Sequence, residues 1–224
     1  KYVCRNVDII MARLIKNETV ELFGKNATVP FINGCDNSYH PCQILADALT
    51  ILEKFGTLDV NLMYIGAKNN VFNSHVEFFS KMKKGTLYGL TPLVNETACG
   101  PDFYEEAKKS GHYIELDPAM SMEEAKEYAN KMDVLYTDTW VDMEFFNNPA
   151  YQKQKEETLA KMMPYQLNGD FTKDSKAIVF HDMPMHVGFE ISQDVVDKNL
   201  DHILDEAENR RHAEKAVMYT LLNS

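Results

Sequence analysis

The sequence predicts an α/β protein built on parallel strands with helices on both faces. Three observations carry that prediction. Short apolar runs alternate with longer stretches whose apolar residues recur at three- and four-residue spacing. Gly56, Gly85, Gly111 and Pro164 stand where helical stretches end. Polar residues follow directly on apolar runs, at Arg13, Asn69-Asn70, Asp138 and His181-Asp182, and ligands of parallel α/β sheets bind beyond the carboxyl ends of the strands.

Taken in order, 8–14 reads as a strand ending near Arg13, and Asn17 or Thr19 can cap a short helix running to Gly24. A second strand over 29–32 stops at Asn33-Gly34. Asp36, Asn37 and Ser38 are all N-capping types, Pro41 suits a first helical turn, and Ile44, Ala48, Ile51, Leu52 and Phe55 form one stripe of a helix stopped by Gly56. The composition changes at Gly56-Thr57. A buried strand over 60–65 ends at Gly66, and a helix follows through Phe78, Phe79 and Met82 to Gly85. Strands are expected over 86–90, 112–116, 134–137 and 176–180, with a helix over 101–109. Ser121-Met122-Glu123-Glu124 is a capping box opening a further helix. A charged helix over 148–163, a short helix over 192–198, a short strand over 202–204 and a closing helix over 207–222 complete the chain.

Composition narrows the function. At 224 residues the chain can bury one good core, or two small ones sharing a helix. A net charge of −11 argues against a nucleic-acid or anionic-membrane surface, while leaving room for a small anion in a locally basic pocket. No apolar run reaches membrane-span length and no signal-peptide pattern opens the chain. Cys4, Cys35, Cys42 and Cys99 form no CxxC pair and the seven histidines no metal-ligand spacing, so a reduced, cytoplasmic compartment without a metal site is expected. The turn at Gly66-Ala67-Lys68-Asn69-Asn70 lacks G-x-G-x-x-G, and no P-loop occurs, which counts against a nucleotide site.

The most informative stretch is Cys35-Asp36-Asn37-Ser38-Tyr39-His40-Pro41-Cys42-Gln43. It sets an imidazole and an amide at the mouth of a buried helix, where free N–H groups and the helix dipole favour an anion. The plain alternative is a capped core helix with a polar first turn.

With Ala12-Arg13, Asn33-Gly34, Asn69-Asn70-Val71, Asp138-Thr139-Trp140-Val141, Tyr165-Gln166, His181 with Pro184, and Glu206-Ala207-Glu208-Asn209-Arg210, this stretch resembles the aspartate/ornithine carbamoyltransferase family, the ornithine branch above all. The motifs run in family order over nearly the whole chain. The resemblance implies two Rossmann-like α/β domains joined by a bridging helix. Residues 1–55 would end the carbamoyl phosphate domain, 56–200 would form the ornithine domain, and 201–224 would pack back on the first. It implies carbamoyl transfer to the δ-amine of L-ornithine, giving citrulline, in arginine synthesis or its catabolic reversal. It also implies a homotrimer with no metal or organic cofactor. Arg13, His40, Gln43 and Arg210 would hold carbamoyl phosphate. Asn70, Asp138, Asp142, Met143, Asp182 and Met183 would hold the amine substrate, and Arg13, His40, Asp138 and Asp182 would carry the chemistry. Arg13 and His40 are donors suited to an oxyanion, and Gln43 can accept from the carbamoyl NH₂.

Three departures stand out. The family's Ser-x-Arg-Thr-Arg phosphate loop is absent and is expected upstream of Lys1. Asp142-Met143-Glu144 replaces the usual Ser-Met-Gly, and His181-Asp182-Met183-Pro184 the usual His-Cys-Leu-Pro. Asp182 is expected to face Asp138 in the cleft, steer the amine and help accept its proton. The added carboxylates also fit another cationic acceptor, such as putrescine or agmatine. A non-catalytic, metabolite-binding paralogue is the alternative of a different class.

Overall fold

The computed structural model describes residues 1–141 and 143–223, the side chains of 143 and 144 apart. Its centre is a five-stranded, wholly parallel sheet. The strands are β3 (Asn61–Lys68), β4 (Thr86–Val94), β5 (Tyr113–Glu115), β6 (Val134–Thr137) and β7 (Ile178–His181), in the order β5-β4-β3-β6-β7. Two earlier strands, β1 (Ile10–Arg13) and β2 (Phe31–Cys35), pair in parallel as a separate small sheet, in register from Ile10 opposite Phe31 to Arg13 opposite Cys35.

Side chains on β3 alternate between two cores, as the two-residue period of a strand requires. Leu62 and Tyr64 pack with Phe72, Val76 and Phe79 of α3 (Asn70–Met82) and Tyr104 of α4 (Pro101–Lys108). Met63 and Ile65 face the other way, towards Ala125 and Ala129 of α5 (Met122–Ala129) and towards Val195 and Ile203 near the C terminus. Both faces are therefore covered, which is why the strands read as nearly unbroken apolar runs.

The strand order places the site. The chain moves from β3 to β4 on one side and returns to β6 on the other, so the direction of winding reverses between β3 and β6. A crevice opens at the carboxyl ends of strands at such a reversal. Asn69 and Asn70 leave β3 there, Asp138 leaves β6, and Asp182 follows β7.

Helix α2 (Pro41–Phe55) runs from the small sheet to the large one, with Gly56 at its end in the left-handed conformation, φ 69°. Several expectations need correction around it. The N-cap of α2 is His40 itself. Asp36 instead folds the preceding loop, its Oδ1 accepting the N–H groups of Ser38 and Tyr39 at 2.7 and 2.8 Å. Helix α1 (Asn17–Asn26) starts after Lys16, and Asn37 from the next loop accepts the Asn17 N–H at 3.0 Å, so neither Asn17 nor Thr19 is its cap. Strand β3 continues past Gly66 to Lys68, and β4 runs on to Val94. The charged helix is flanked by 3₁₀ turns, Pro149–Tyr151 and Met163–Tyr165, and follows a short α6 (Met143–Phe146); its α-helical part is α7 (Gln152–Met162).

The largest correction lies at the end of the chain. Instead of a short helix, a strand over 202–204 and a closing helix, there is one 30-residue helix, α8 (Gln193–Leu222). No Gly or Pro interrupts 193–222. The buried stripe was hard to see because three of its members are polar: Asn199, Glu206 and Asn209 alternate with Val195, Ile203 and Ala213. Each is buried with partners. Asn199 Oδ1 accepts the Val179 N–H at 3.0 Å, and Asn209 Nδ2 donates to Thr50 Oγ1 and Glu53 Oε2 on α2 at 3.0 and 2.7 Å.

Candidate functional site

One cavity of about 670 Å³ lies where β1, α2, β3, β6, β7 and α8 converge. Arg13, His40, Asn70, Asp138, Asp182, Met183 and Arg210 all line it. They come from six elements spread over nearly 200 positions, and the fold brings them to one cleft.

The loop before α2 is built on Asp36. Its Oδ2 accepts from Asn33 Nδ2 and Asn17 Nδ2 at 2.8 and 2.9 Å, so the buried carboxylate meets four donors in all. Ser74 of α3 fixes His40 from behind: its Oγ accepts the His40 N–H at 2.8 Å. The His40 ring is 5% exposed, and its pKa is pushed down to about 4 by burial first and then by the charges of Arg210 and Arg13. It is a neutral imidazole at pH 7. Arg210 Nη2 lies 3.4 Å from His40 Nε2. A guanidinium only donates, so Nε2 is the lone-pair side and Nδ1 carries the proton. That Nδ1 is buried and has no partner. His40 thus holds a buried N–H without a partner on one side of its ring and the Arg210 guanidinium on the other.

The opposite wall is acidic. Asn69 caps α3, its Oδ1 accepting the Phe72 N–H at 3.0 Å, and its Nδ2 donates to Asp138 Oδ2 at 2.6 Å. The N–H of Thr139 donates to Asp138 Oδ1 at 2.6 Å. Asp182 lies beside Asp138, and its side chain is 12% exposed. Burial, reinforced by the Asp138 carboxylate, holds the Asp182 carboxyl well above the usual carboxylate range.

The backbone around Asp182 is unusual. Met183 sits in the left-handed region at φ 53°, and the Met183–Pro184 peptide is cis. Met183 N–H donates to His181 Nδ1 at 3.0 Å, which leaves the His181 proton on Nε2, facing Glu190 Oε1 at 3.3 Å. This chain of contacts holds the turn that carries Asp182.

Two sequence expectations fall elsewhere. Gln43 does not line the cavity; it is fully buried behind His40, with Nε2 donating to Asp47 Oδ1 and Glu206 Oε1 at 2.8 Å each. One helical turn carries a side chain at N3 inward while His40, at the cap, stays at the mouth. Asp142 and the side chain of Met143 lie outside the described residues. Asn70 is at the cleft, but its Nδ2 already donates to the Asp36 carbonyl at 2.8 Å and meets Cys35 Sγ at 3.4 Å.

Sequence reasoning placed Asn69 at the ligand-binding edge without giving it a role, and missed Cys35, Thr97 and Thr139 as cavity residues. Asn69 carried a legible signal, because an N-cap directly after a parallel strand stands at the sheet's carboxyl edge. For the others the signal is only their place in the fold. Among the described residues, no group of three or more His, Cys, Asp or Glu side chains is arranged to hold a metal ion, and no helix is long and apolar enough to cross a membrane.

What the arrangement can do follows from its two ends. Arg13, Arg210 and the His40 N–H can hold an anion and a carbonyl oxygen gaining negative charge. Asp138 and Asp182 can hold a cationic amine and take a proton from it.

Comparison with known proteins covers nearly the whole chain. Residues 58–221 match the Asp/Orn-binding domain of aspartate/ornithine carbamoyltransferase, and residues 1–53 match its carbamoyl-P binding domain. The chain is 35% identical over 229 residues to an ornithine carbamoyltransferase of Chlorobaculum tepidum, covering 100% of this chain and 63% of that protein. It is 37% identical to the Pyrococcus horikoshii enzyme of the same name, covering 99% and 68% respectively. In three dimensions it is similar to ornithine carbamoyltransferase from Pyrococcus furiosus, with a TM-score of 0.83 at 34% identity, covering 100% of this chain and 69% of that one. The chain thus spans about two thirds of the length of these relatives.

Proposed function

The chain belongs to the aspartate/ornithine carbamoyltransferase family, and from that premise we propose that the protein carrying it transfers the carbamoyl group of carbamoyl phosphate to the δ-amine of L-ornithine, giving L-citrulline and phosphate. The observation that carries this reading is the polarity of the cleft. Arg13, His40 and Arg210 stand at one end, and Asp138 beside Asp182 at the other.

In this reading carbamoyl phosphate lies with its anionic oxygens towards Arg13 and Arg210. Its carbonyl oxygen takes the free His40 N–H. Ornithine arrives as a cation beside Asp138 and Asp182, and the proton held by Asp182 leaves to solvent, so that both carboxylates are ionised around the ammonium. Asp182 then takes a proton from the δ-ammonium. The freed amine attacks the carbonyl carbon, the new C–N bond forms, and the C–O bond to phosphorus breaks with its electrons leaving on phosphate. The surplus amine proton leaves through the acid pair. Holding both substrates in one cleft removes much of the entropic barrier of a two-substrate transfer. A homotrimer, the cytoplasm and a role in arginine metabolism belong to the same proposal, on the strength of the family.

Asp182 also supports a second reading within the same chemistry, in which the acceptor is another cationic amine, such as putrescine or agmatine. The test is to incubate the full-length protein with carbamoyl phosphate and each amine in turn, and to quantify the carbamoylated product. Citrulline formed at the highest kcat/KM supports ornithine. A higher kcat/KM for another amine moves the acceptor, and no product with any amine overturns the reading.

A further inference from the structure

Asp138 stands at the acidic end of the cleft, and Asn69 holds it there. Asn69 is the N-cap of α3, 4% exposed and part of the cavity wall. Its Oδ1 accepts the Phe72 N–H at 3.0 Å and the Tyr64 hydroxyl at 3.3 Å, while its Nδ2 donates to Asp138 Oδ2 at 2.6 Å. Turning the amide over would set Nδ2 against two donors and Oδ1 against a carboxylate, so the amide has one orientation. Tyr64 is itself fixed. It is fully buried on β3, and its ring stacks on Tyr136 of β6 with centroids 5.5 Å apart. The arm that reaches Asp138 is thus anchored in a helix start and in the core of the sheet.

Capping alone does not call for this residue. Ser, Thr, Asp and Asn all cap a helix by accepting an N–H. Of the four, only Asn joins that acceptor to an amide donor on a separate atom. Asp would set a second carboxylate against Asp138, and a Ser or Thr hydroxyl engaged at the helix has no second arm.

The neighbours of Asp138 make a donor necessary. Thr139 donates to it twice, from its N–H at 2.6 Å and its hydroxyl at 3.3 Å, but both bonds end on Oδ1. Asp182 lies on its other side. When both acids are ionised around an ammonium they repel one another, and a carboxylate held by one oxygen can turn away. Asn69 holds the other oxygen, through a hydrogen bond of the strong, charge-assisted kind.

We infer that Asn69 is a positioning residue that aims Asp138: its acceptor oxygen is spent on the start of α3 and on Tyr64, and its donor fixes the carboxylate in the direction that receives the amine. The identity of the amine rests on the proposed carbamoyl transfer; the hold on Asp138 does not.

The test is Asn69→Ser in the full-length protein, which keeps a cap and removes the arm. Its Tm stays close to the parental value, since Ser caps as well as Asn. Its KM for ornithine rises about tenfold, while KM for carbamoyl phosphate changes by less than about twofold. In its crystal structure α3 keeps its first turn, and the Asp138 carboxylate is turned from its parental direction or spread over several. A parental KM for ornithine, a rise shared equally by carbamoyl phosphate, or an unmoved Asp138 would each overturn the inference and leave Asn69 as a cap alone. Should Asn69→Ser not fold, Asn69→Thr, a second capping residue, carries the same readouts with the same outcomes. If the parental protein carbamoylates no amine, the proposed function fails, and the crystal structures still decide: a moved Asp138 supports the inference and an unmoved one ends it.

Discussion

His40 is the residue on which the chemistry turns. Its environment keeps it neutral, with the pKa down near about 4, so it serves as an N–H donor throughout the range in which such an enzyme would work. It therefore cannot be the group whose protonation limits activity at mildly acidic pH. A donor to an oxygen that gains charge mainly in the transition state affects kcat more than KM. His40→Ala and Arg13→Ala in the full-length protein should each lower kcat by about 100-fold or more, with a smaller change in KM. A variant with parental kcat and a raised KM would remove the oxyanion role. Asp182 has the opposite perturbation: its carboxyl is protonated over a wider range than usual, and it accepts a proton only once ionised. Activity should fall as pH drops through its raised pKa. Asp182→Asn should lower kcat/KM for the amine and shift that acid limb, and Asp182→Cys should restore activity; an unchanged pH profile would assign Asp182 to a passive role. The sequence made these side chains legible because each follows an apolar run or a helix start. It did not make Gln43's burial legible, because a polar residue at N3 of a helix reads as solvent-facing when its partners, Asp47 and Glu206, are a turn and 163 positions away.

At the scale of elements, the parallel strands and most helices were legible because their apolar periods differ so clearly. Helix α8 was not. Its buried stripe contains Asn199, Glu206 and Asn209, and a hydrophobic pattern cannot register positions whose burial depends on hydrogen bonds to another helix. Glycine ends carry a second lesson. Gly56 and Gly85 both hold positive φ, 69° and 65°, but a Cβ at Gly56 meets nothing within 4 Å, while one at Gly85 would lie 2.2 Å from the Val60 carbonyl oxygen. Both look alike in the sequence, as helix stops. Thermal denaturation should separate them: Gly56→Ala should cost about 1 kcal/mol from backbone conformation alone, and Gly85→Ala markedly more, about 3 kcal/mol, since the α3–β4 connection must move away from the segment that enters β3. Equal losses would mean that the close approach at Gly85 relaxes freely.

For the whole molecule, the buried acids set a pH dependence of stability. Asp182 and Glu206 have raised pKa values in the folded chain, so between their unfolded values and those raised ones the folded state binds more protons than the unfolded state. Stability from this source is present in mild acid and is lost as pH rises. His40 works in the other sense, since its folded pKa is lowered from 6.5 to about 4 and stability is lost as pH falls through that window. The Tm should therefore fall as pH rises above about 6.5, where His40 no longer titrates, and less steeply in Asp182→Asn; equal slopes would show that Asp182 contributes nothing to this dependence. The 224-residue chain on its own should produce no measurable citrulline. It lacks a Ser-x-Arg-Thr-Arg run and covers 63% of the Chlorobaculum tepidum relative, and Arg13 with Arg210 is a sparse cradle for a phosphate dianion. Citrulline from this chain alone would count against that view. The central claim is that one cleft has an anion end and an amine end, and the separation of Michaelis constants in the full-length protein tests it most directly. Arg210→Gln should raise KM for carbamoyl phosphate with little change for ornithine, and Asp138→Asn should do the reverse. If both substitutions raised KM for the same substrate, the two-ended cleft would be contradicted.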